Sequence, residues 1–271
     1  MRQAMPELPE VETIRRQLLP LYRGEIFREI RLSALAALQN CRAEDFQRLA
    51  GKRIDDFHRR GKFLIFECQG IYPVFHLGMS GIFLKSKAES LYPQHIHAEM
   101  RFKSGKELFF QDMRRFGNIR LYSEFPQFPG LGIDPLGAEF TAGRLNALLA
   151  AKKMNLKQFL MDQRYIAGIG NIYASEILFR ARLSPRRKTH ELKSRERAAL
   201  FQAIPAILAS AVENFGTTYS AYRTVTGESG ENQHFLQVYQ REGEPCHRCG
   251  RAIIKTVMGS RSTFYCEKCQ R

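Results

Sequence analysis

The sequence predicts an α+β protein, with a sheet-rich first half and a helical second half. Three observations carry this. Residues 24–123 run as short apolar stretches with alternating polar positions, cut by glycine-bearing turns. Beyond residue 137 the apolar residues recur at helical spacing instead. The chain then closes on two CxxC pairs, Cys246/Cys249 and Cys266/Cys269, a small module of its own. Strands grouped first and helices grouped later fit an α+β chain better than an alternating one. With 271 residues and 44% hydrophobic content, the chain is globular and long enough for two cores.

A helix opens the chain. Pro6-Glu7-Leu8-Pro9-Glu10-Val11-Glu12-Thr13 reads as a short arm entering it. Pro9 suits the first turn, where a missing N–H costs nothing. Glu10 and Glu12 lie at the positive end of the helix dipole. Val11, Ile14, Leu18 and Leu19 form an apolar face. Strands are expected around Ile26–Leu32, Phe63–Phe66, Tyr72–Phe75, Ile82–Leu84, Ala98–Phe102, Leu108–Phe110 and Ile119–Tyr122. So many short strands at close spacing predict a sandwich or barrel. Residues 124–137, with Pro126, Pro129, Gly130, Gly132, Pro135 and Gly137, mark a linker. Helices are expected around Leu145–Leu149, Leu156–Leu160 and Ile172–Leu178, and across 194–213, where Pro205 is expected to introduce a kink. Residues 216–234 are polar and aperiodic and read as a mobile loop.

The charge balance is strongly basic. Forty-two Lys and Arg against 27 Asp and Glu give a formal charge of +15. The partner is expected to be anionic, a nucleic acid or a membrane surface. No apolar run approaches the ~18 residues of a membrane span. The N-terminus lacks the apolar core of a secretory signal, so the expected setting is cytoplasmic and reducing.

Several segments carry residues able to do chemistry. If the chain starts at Met5 and the methionine is removed, Pro6 presents a free secondary amine. Such an amine attacks an electrophilic carbon to form a cationic imine. Its reference pKa of about 7.7–8.0 leaves a useful unprotonated fraction near neutrality. Glu7 beside it can move a proton. The plainer alternative is a proline-stiffened entry arm. Cys246, Cys249, Cys266 and Cys269 match a closed four-thiolate zinc site, structural because no ligand position is left open. Arg261, at the turn of the zinc-held hairpin, suits bidentate grip of a phosphate. Gly168-Ile-Gly170-Asn171 stands before a helix, where backbone N–H groups bind phosphate, or else makes a tight packing turn. His58-Arg-Arg-Gly-Lys62 is a basic turn. Met79 and Phe116, on glycine-ended loops, read either as core residues or as wedges that enter a base stack.

Together these segments resemble the bacterial formamidopyrimidine-DNA glycosylase family, bifunctional enzymes that remove oxidised purines. The resemblance rests on Pro6-Glu-Leu-Pro-Glu-Val-Glu-Thr, His76-Leu-Gly-Met-Ser-Gly, Arg114-Arg-Phe-Gly, Gly170-Asn-Ile-Tyr-Ala-Ser-Glu and Thr263-Phe-Tyr-Cys, in the family's order. It implies an N-terminal β-sandwich with flanking helices over 6–123 and a linker at 124–137. A helix–two-turn–helix domain over 138–235, with a lesion loop at 216–234, and a zinc finger over 236–271 complete it. DNA is expected in the cleft between, with the target nucleotide flipped out. The resemblance makes Pro6 the nucleophile on the deoxyribose C1′ and Glu7 the proton shuttle. Lys62 matches the family's lysine that assists β-elimination, and Arg261 the arginine assigned to δ-elimination or phosphate clamping. His76, Lys62, Asn171 and Arg261 are expected to converge on phosphates around the lesion. His95, Arg114 and Lys152 match further DNA contacts, and Lys157 a lysine near the lesion pocket. Met79, Arg114 and Phe116 match residues that fill the gap left by the flipped base. One structural Zn2+, a duplex with oxidised purines or abasic sites as partner, and a monomer are also implied.

Two departures from the family stand out. The four residues before Met5 would cap the Pro6 nitrogen as an unreactive amide. The loop reads Thr226-Gly-Glu-Ser-Gly-Glu-Asn-Gln233, without the family's Gly-Tyr-Phe. Three rivals follow: an endonuclease VIII-like enzyme for oxidised pyrimidines, a non-catalytic binder of damaged DNA if the amine stays blocked, and a zinc-ribbon RNA-binding protein.

Overall fold

The structure, a computed structural model, describes residues 5–218 and 222–271. The chain divides into two compact units, one of residues up to Pro129 plus Asn214–Gln233, the other of Gly130–Glu213 plus His234–Arg271.

In the first unit, helix α1 (Leu8–Tyr22) precedes nine strands: β1 (Phe27–Leu32), β2 (Leu38–Gln39), β3 (Asp56–Arg60), β4 (Phe63–Glu67), β5 (Tyr72–His76), β6 (Gly81–Leu84), β7 (Ile96–Phe102), β8 (Glu107–Asp112) and β9 (Asn118–Tyr122). They form a four-stranded sheet, β1-β7-β8-β6, and a five-stranded sheet, β2-β9-β5-β4-β3. All pairings are antiparallel except β2 with β9. The sandwich anticipated from the strand spacing is present. Phenylalanines close it: Phe66 and Phe75 of the five-stranded sheet meet Phe83 and Phe110 of the other, with ring centroids 5.0–6.0 Å apart. Such tilted and edge contacts add to the area the rings bury.

Helix α1 buries Val11, Ile14, Leu18 and Tyr22 against this core, at one helical face. The Tyr22 hydroxyl donates to the Glu107 carbonyl at 2.7 Å. The linker stretch is bound to the first unit before the crossing at Pro129–Gly130. Phe128 stacks on Phe63 at 4.7 Å, and Phe125 meets His58 and Tyr72 edge-on.

Residues 216–234 are expected to go with the helical half as a mobile loop. The described residues of Asn214–Gln233 group instead with the first unit, where hydrogen bonds hold them. Thr217 N–H donates to Glu10 Oε1 (2.8 Å), Val225 N–H to Gln17 Oε1 (2.8 Å), and Asn232 Nδ2 to Thr217 Oγ1 (2.8 Å). Composition gives no hint of this, because two of the acceptors, Glu10 and Gln17, lie about two hundred residues away on α1.

The second unit contains α2 (Ala142–Ala151), α3 (Leu156–Met161), α4 (Asn171–Ala181), α5 (Ser194–Glu213) and a hairpin of β10 (Ile254–Met258) and β11 (Arg261–Tyr265). α5 buries Leu200, Ala203, Ile204, Leu208, Ala211 and Val212, a helical stripe, with Pro205 inside the helix. α4 is buried nearly all round and packs on α3, α5 and β11. That burial takes Glu176 with it, at 3% exposure. Its carboxylate accepts three backbone N–H groups, from Gln237 (2.9 Å), Val238 (3.0 Å) and Tyr239 (2.9 Å). One side chain thereby fastens the segment leading into the cysteine module to the central helix. Burial raises the Glu176 pKa, while the backbone donors and Lys157 act against the rise. Among the described residues, no helix is long and apolar enough to cross a membrane.

Glu176→Ala leaves three N–H groups without their acceptor, so it should destabilise the fold by about 3 kcal/mol or more. Glu176→Gln keeps one acceptor oxygen and should cost clearly less. Thermal or denaturant unfolding of the two variants checks the order.

Candidate active site and nucleic-acid interface

Pro6 and Glu7 sit at the head of α1, and both are buried. Glu7 is the N-cap, with extended backbone angles. Its N–H donates to Glu10 Oε2 at 2.7 Å, the return bond by which an acidic residue three positions on closes a helix start. The other oxygen of Glu10 accepts from Thr217. The orientation of Pro6 and Glu7 is therefore set by a buried carboxylate with both oxygens used. Residues 1–4, the extension that would cap Pro6, lie outside the described residues.

Glu12, two residues beyond Glu10 along α1, has a different set of partners. Arg15 grips it through Nε and Nη2 (3.0 and 2.8 Å), Arg16 Nε donates at 2.9 Å, and Arg59 Nε at 3.1 Å. Burial works to raise its pKa, but hydrogen bonds and charge from the arginines outweigh it and hold the carboxyl at about 2. Arg59 also donates through Nη1 to the Gly61 carbonyl at 3.2 Å. Gly61 and Lys62 are the two residues between β3 and β4, where Arg60 pairs with Phe63. A two-residue hairpin of this kind takes a glycine with positive φ first, and Gly61 has φ +58°. That turn carries Lys62.

His76 ends β5, directly opposite Phe63 in the ladder. Its Nδ1 accepts the Gly78 N–H at 3.2 Å, which leaves the proton of the neutral ring on Nε2. Burial, then the charges of Lys62 and Arg120, lower its pKa to about 4. His76 thus presents a neutral N–H donor at physiological pH rather than a charge, and it lies within electrostatic reach of Lys62.

The two glycine-ended loops interlock. A Cβ on Gly78 would stand 2.2 Å from the Gly117 nitrogen and 2.3 Å from the Phe116 carbonyl carbon. Asp112 ties them together. It accepts from Ser80 Oγ, from Arg114 N–H (3.3 Å) and from Gly117 N–H (2.8 Å). Buried His97 braces Asp112 through the Asp112 carbonyl at 3.0 Å. On this base Met79 is half-buried, while Arg114 and Phe116 are exposed, Phe116 at 55%, with the guanidinium 4.8 Å from the ring centre. Phe116 is not a core residue. Ser80, His97 and Asp112, which build this platform, were not singled out from the sequence. The only signal for Ser80 and Asp112 was their place inside the two loop motifs. His95 lies half-buried in the 3-10 turn Pro93–His95 that leads into β7.

The other candidates belong to the second unit. Lys157, expected near a lesion pocket, is fully buried. Its Nζ donates to the Asn171 carbonyl (2.8 Å) and to Ser175 Oγ (2.6 Å). It therefore holds the first turn of α4. Asn171 is the first residue of that helix, after Gly170, and its Oδ1 is buried without a hydrogen-bond partner among the described residues. Lys152 lies half-buried after α2, with Nζ 5.0 Å from the Tyr165 ring centre. Arg261 is exposed at the start of β11. The turn before it, Gly259-Ser260, has φ of +55° and +59°, the pair that a tight hairpin of this hand demands.

The four cysteine sulfurs lie within 4.8 Å of one another, with Cys246–Cys269 at 3.9 Å and Cys249–Cys266 at 3.5 Å. A disulfide would need about 2.05 Å. Zinc–sulfur bonds of about 2.3 Å in a tetrahedron give edges near 3.8 Å, which these distances fit. The cysteines hold one structural zinc.

The family model for the formamidopyrimidine-DNA glycosylase N-terminal domain matches residues 5–119, that for its H2TH domain matches 131–222, and that for the zinc finger found in FPG and IleRS matches 243–271. The chain belongs to the formamidopyrimidine-DNA glycosylase family. It is 40% identical to the formamidopyrimidine-DNA glycosylase of Cytobacillus firmus over 273 residues and 39% identical to that of Geobacillus kaustophilus over 274. In both cases the match covers 98% of this chain and 100% of the relative. The crystal structure of MutM (Fpg) from Thermus thermophilus superposes with a TM-score of 0.87 at 40% identity, covering 98% of each chain. A Lactococcus lactis Fpg mutant in complex with Fapy-dG-containing DNA gives 0.90 at 32% identity, over 98% of this chain and 100% of that one. The family's enzymes are DNA glycosylases, and the sandwich, helical domain and zinc finger found here are the family's own parts.

Two outcomes follow from this geometry. Because the folded His76 pKa of about 4 lies below its ordinary value of 6.5, the unfolded chain binds the extra proton between these values. Stability should therefore rise with pH across that window, and His76→Gln should flatten the rise in melts taken at stepped pH. Removing zinc with a strong chelator should leave the sandwich folded while the cysteine hairpin loses hydrogen-exchange protection.

Proposed function

We propose that this family member excises oxidised purines from duplex DNA and then cuts the strand, with the Pro6 nitrogen as nucleophile once it is the chain's N-terminus. The observation that carries the reading is the buried Pro6-Glu7 pair, oriented by Glu10 at the head of α1. The family match that begins at residue 5 supports it. The amine forms a bond to C1′ while the glycosidic bond breaks, and the base leaves with its electron pair and gains a proton. Glu7 protonates the ring oxygen, the sugar opens, and a cationic imine joins Pro6 to C1′. The imine acidifies the C2′ proton. Its loss, assisted by Lys62, expels the 3′ phosphate, and a second elimination through C4′ expels the 5′ phosphate.

The remaining residues bind. His76 donates from Nε2 to a phosphate, and Arg261, Asn171, Lys152 and His95 make further DNA contacts. Met79, Arg114 and Phe116 fill the gap left by the extruded nucleotide, with Arg114 facing the orphan cytosine. Lys157 acts through Asn171. The zinc is structural, and no step passes through it. The enzyme works as a monomer on chromosomal DNA in the cytoplasm.

Borohydride trapping on an oligonucleotide with 8-oxoguanine opposite cytosine tests the reading. Protein beginning at Pro6 should form a covalent adduct and nick the strand. Protein retaining residues 1–5 should bind the duplex without an adduct. No adduct from the Pro6 form would end the imine mechanism.

A further inference from the structure

Glu12 has no part in the chemistry just described, yet it is among the most elaborately partnered carboxylates in the first unit. Its side chain is 9% exposed, and that of Arg59 8%. Such a pair is costly to desolvate and is held only where its geometry is well satisfied. The partners run in two directions. Arg15 and Arg16 belong to α1 itself, whereas Arg59 belongs to β3, forty-seven residues away. Arg59 then reaches forward to the carbonyl of Gly61 in the turn that carries Lys62. Arg15 makes a second tie from α1 to the same strand, donating to the Phe57 carbonyl at 3.3 Å.

One continuous path therefore runs from the helix headed by Pro6 and Glu7 to the turn holding Lys62. We propose that Glu12 is a positioning residue that fixes Lys62 relative to the Pro6 nitrogen through Arg59 and the Gly61 carbonyl. This role rests on the proposed imine mechanism. Glu12 touches neither DNA nor the reacting atoms. Its work begins after the imine has formed, when the base that assists C2′ proton loss has to stand in the right place beside a sugar already bonded to Pro6. A displacement of the turn by an ångström is enough to slow proton transfer while leaving base release, which uses Pro6 and Glu7 alone, nearly intact.

Single-turnover assays on 8-oxoguanine duplex with protein beginning at Pro6 separate the two steps. For Glu12→Gln, base release should stay within about threefold of wild type while strand cleavage slows by roughly tenfold. Borohydride should then trap more adduct than in wild type, because the imine forms and is consumed slowly. A purely structural defect would lower the adduct instead. Arg59→Met should show the same split, and the double variant should be no worse than either single one, the mark of two residues acting along one path. Parallel loss of both steps, unchanged cleavage, or additive single effects would each overturn the role of Glu12. A wild-type protein that traps no adduct would overturn the mechanism, and the role of Glu12 with it.

Discussion

The first unit depends on how α1 resolves the burial of its carboxylates. Taking an ionised carboxylate out of water costs several kcal/mol unless its oxygens are met. The helix solves this twice, with different chemistry. Glu10 is met by neutral backbone donors, Glu7 from its own helix start and Thr217 from the distant loop. Glu12 is met by three guanidinium groups. Each solution recruits a segment far away in sequence, so a single helix fixes both the loop after α5 and the turn between β3 and β4. The same helix contributes its apolar face to the sandwich core. Rigidity at the head of α1 is therefore the joint result of apolar packing below and polar closure above.

A steric constraint complements this electrostatic one. The turn at Gly78 and the end of the loop at Gly117 approach so closely that neither position admits a Cβ without backbone displacement. The closeness brings Asp112 within reach of donors from both loops. The result is a stiff base bearing long, adaptable side chains: Met79, Arg114 and Phe116. That division suits a surface that has to fill a gap in a base stack. On the proposed function, the backbone sets where the wedge stands, and methionine, arginine and phenylalanine adjust to the bases they meet.

How much of this was legible in the sequence depended on how far each signal had to reach. The face Val11, Ile14, Leu18 and Leu19 is local periodicity, and α1 buries the first three of these and leaves Leu19 half-buried against the same core. The cysteine spacing carries its own geometry, and the sulfurs gather accordingly. The strand runs gave a sandwich, although nothing local pairs β2 in parallel with β9. Glu10, Glu12 and Glu176 were invisible as anchors, because a carboxylate looks the same whether its partner is solvent or an amide two hundred residues on. Residues 216–234 looked mobile for the same reason: their acceptors, Glu10 and Gln17, belong to the opening helix. His76 was legible as a candidate from its motif. Its neutrality was not, since that follows from burial beside Lys62 and Arg120.

Lys157 shows where a residue's charge and its exposure part company. A lysine in a basic segment is expected to face solvent or phosphate, yet this one is wholly enclosed and bonded to the Asn171 carbonyl and Ser175 hydroxyl. It lies at the amino end of α4, where the helix dipole already favours anions and disfavours a cation. Two effects bear that cost. The buried ammonium has fixed acceptors in the first turn, and buried Glu176, one turn further on, feels its charge. Beside the ammonium stands an asparagine whose Oδ1 is buried and finds no partner among the described residues. On the proposed function, Lys157 contributes to phosphate binding by holding the first turn of α4, and Asn171 with it, in place.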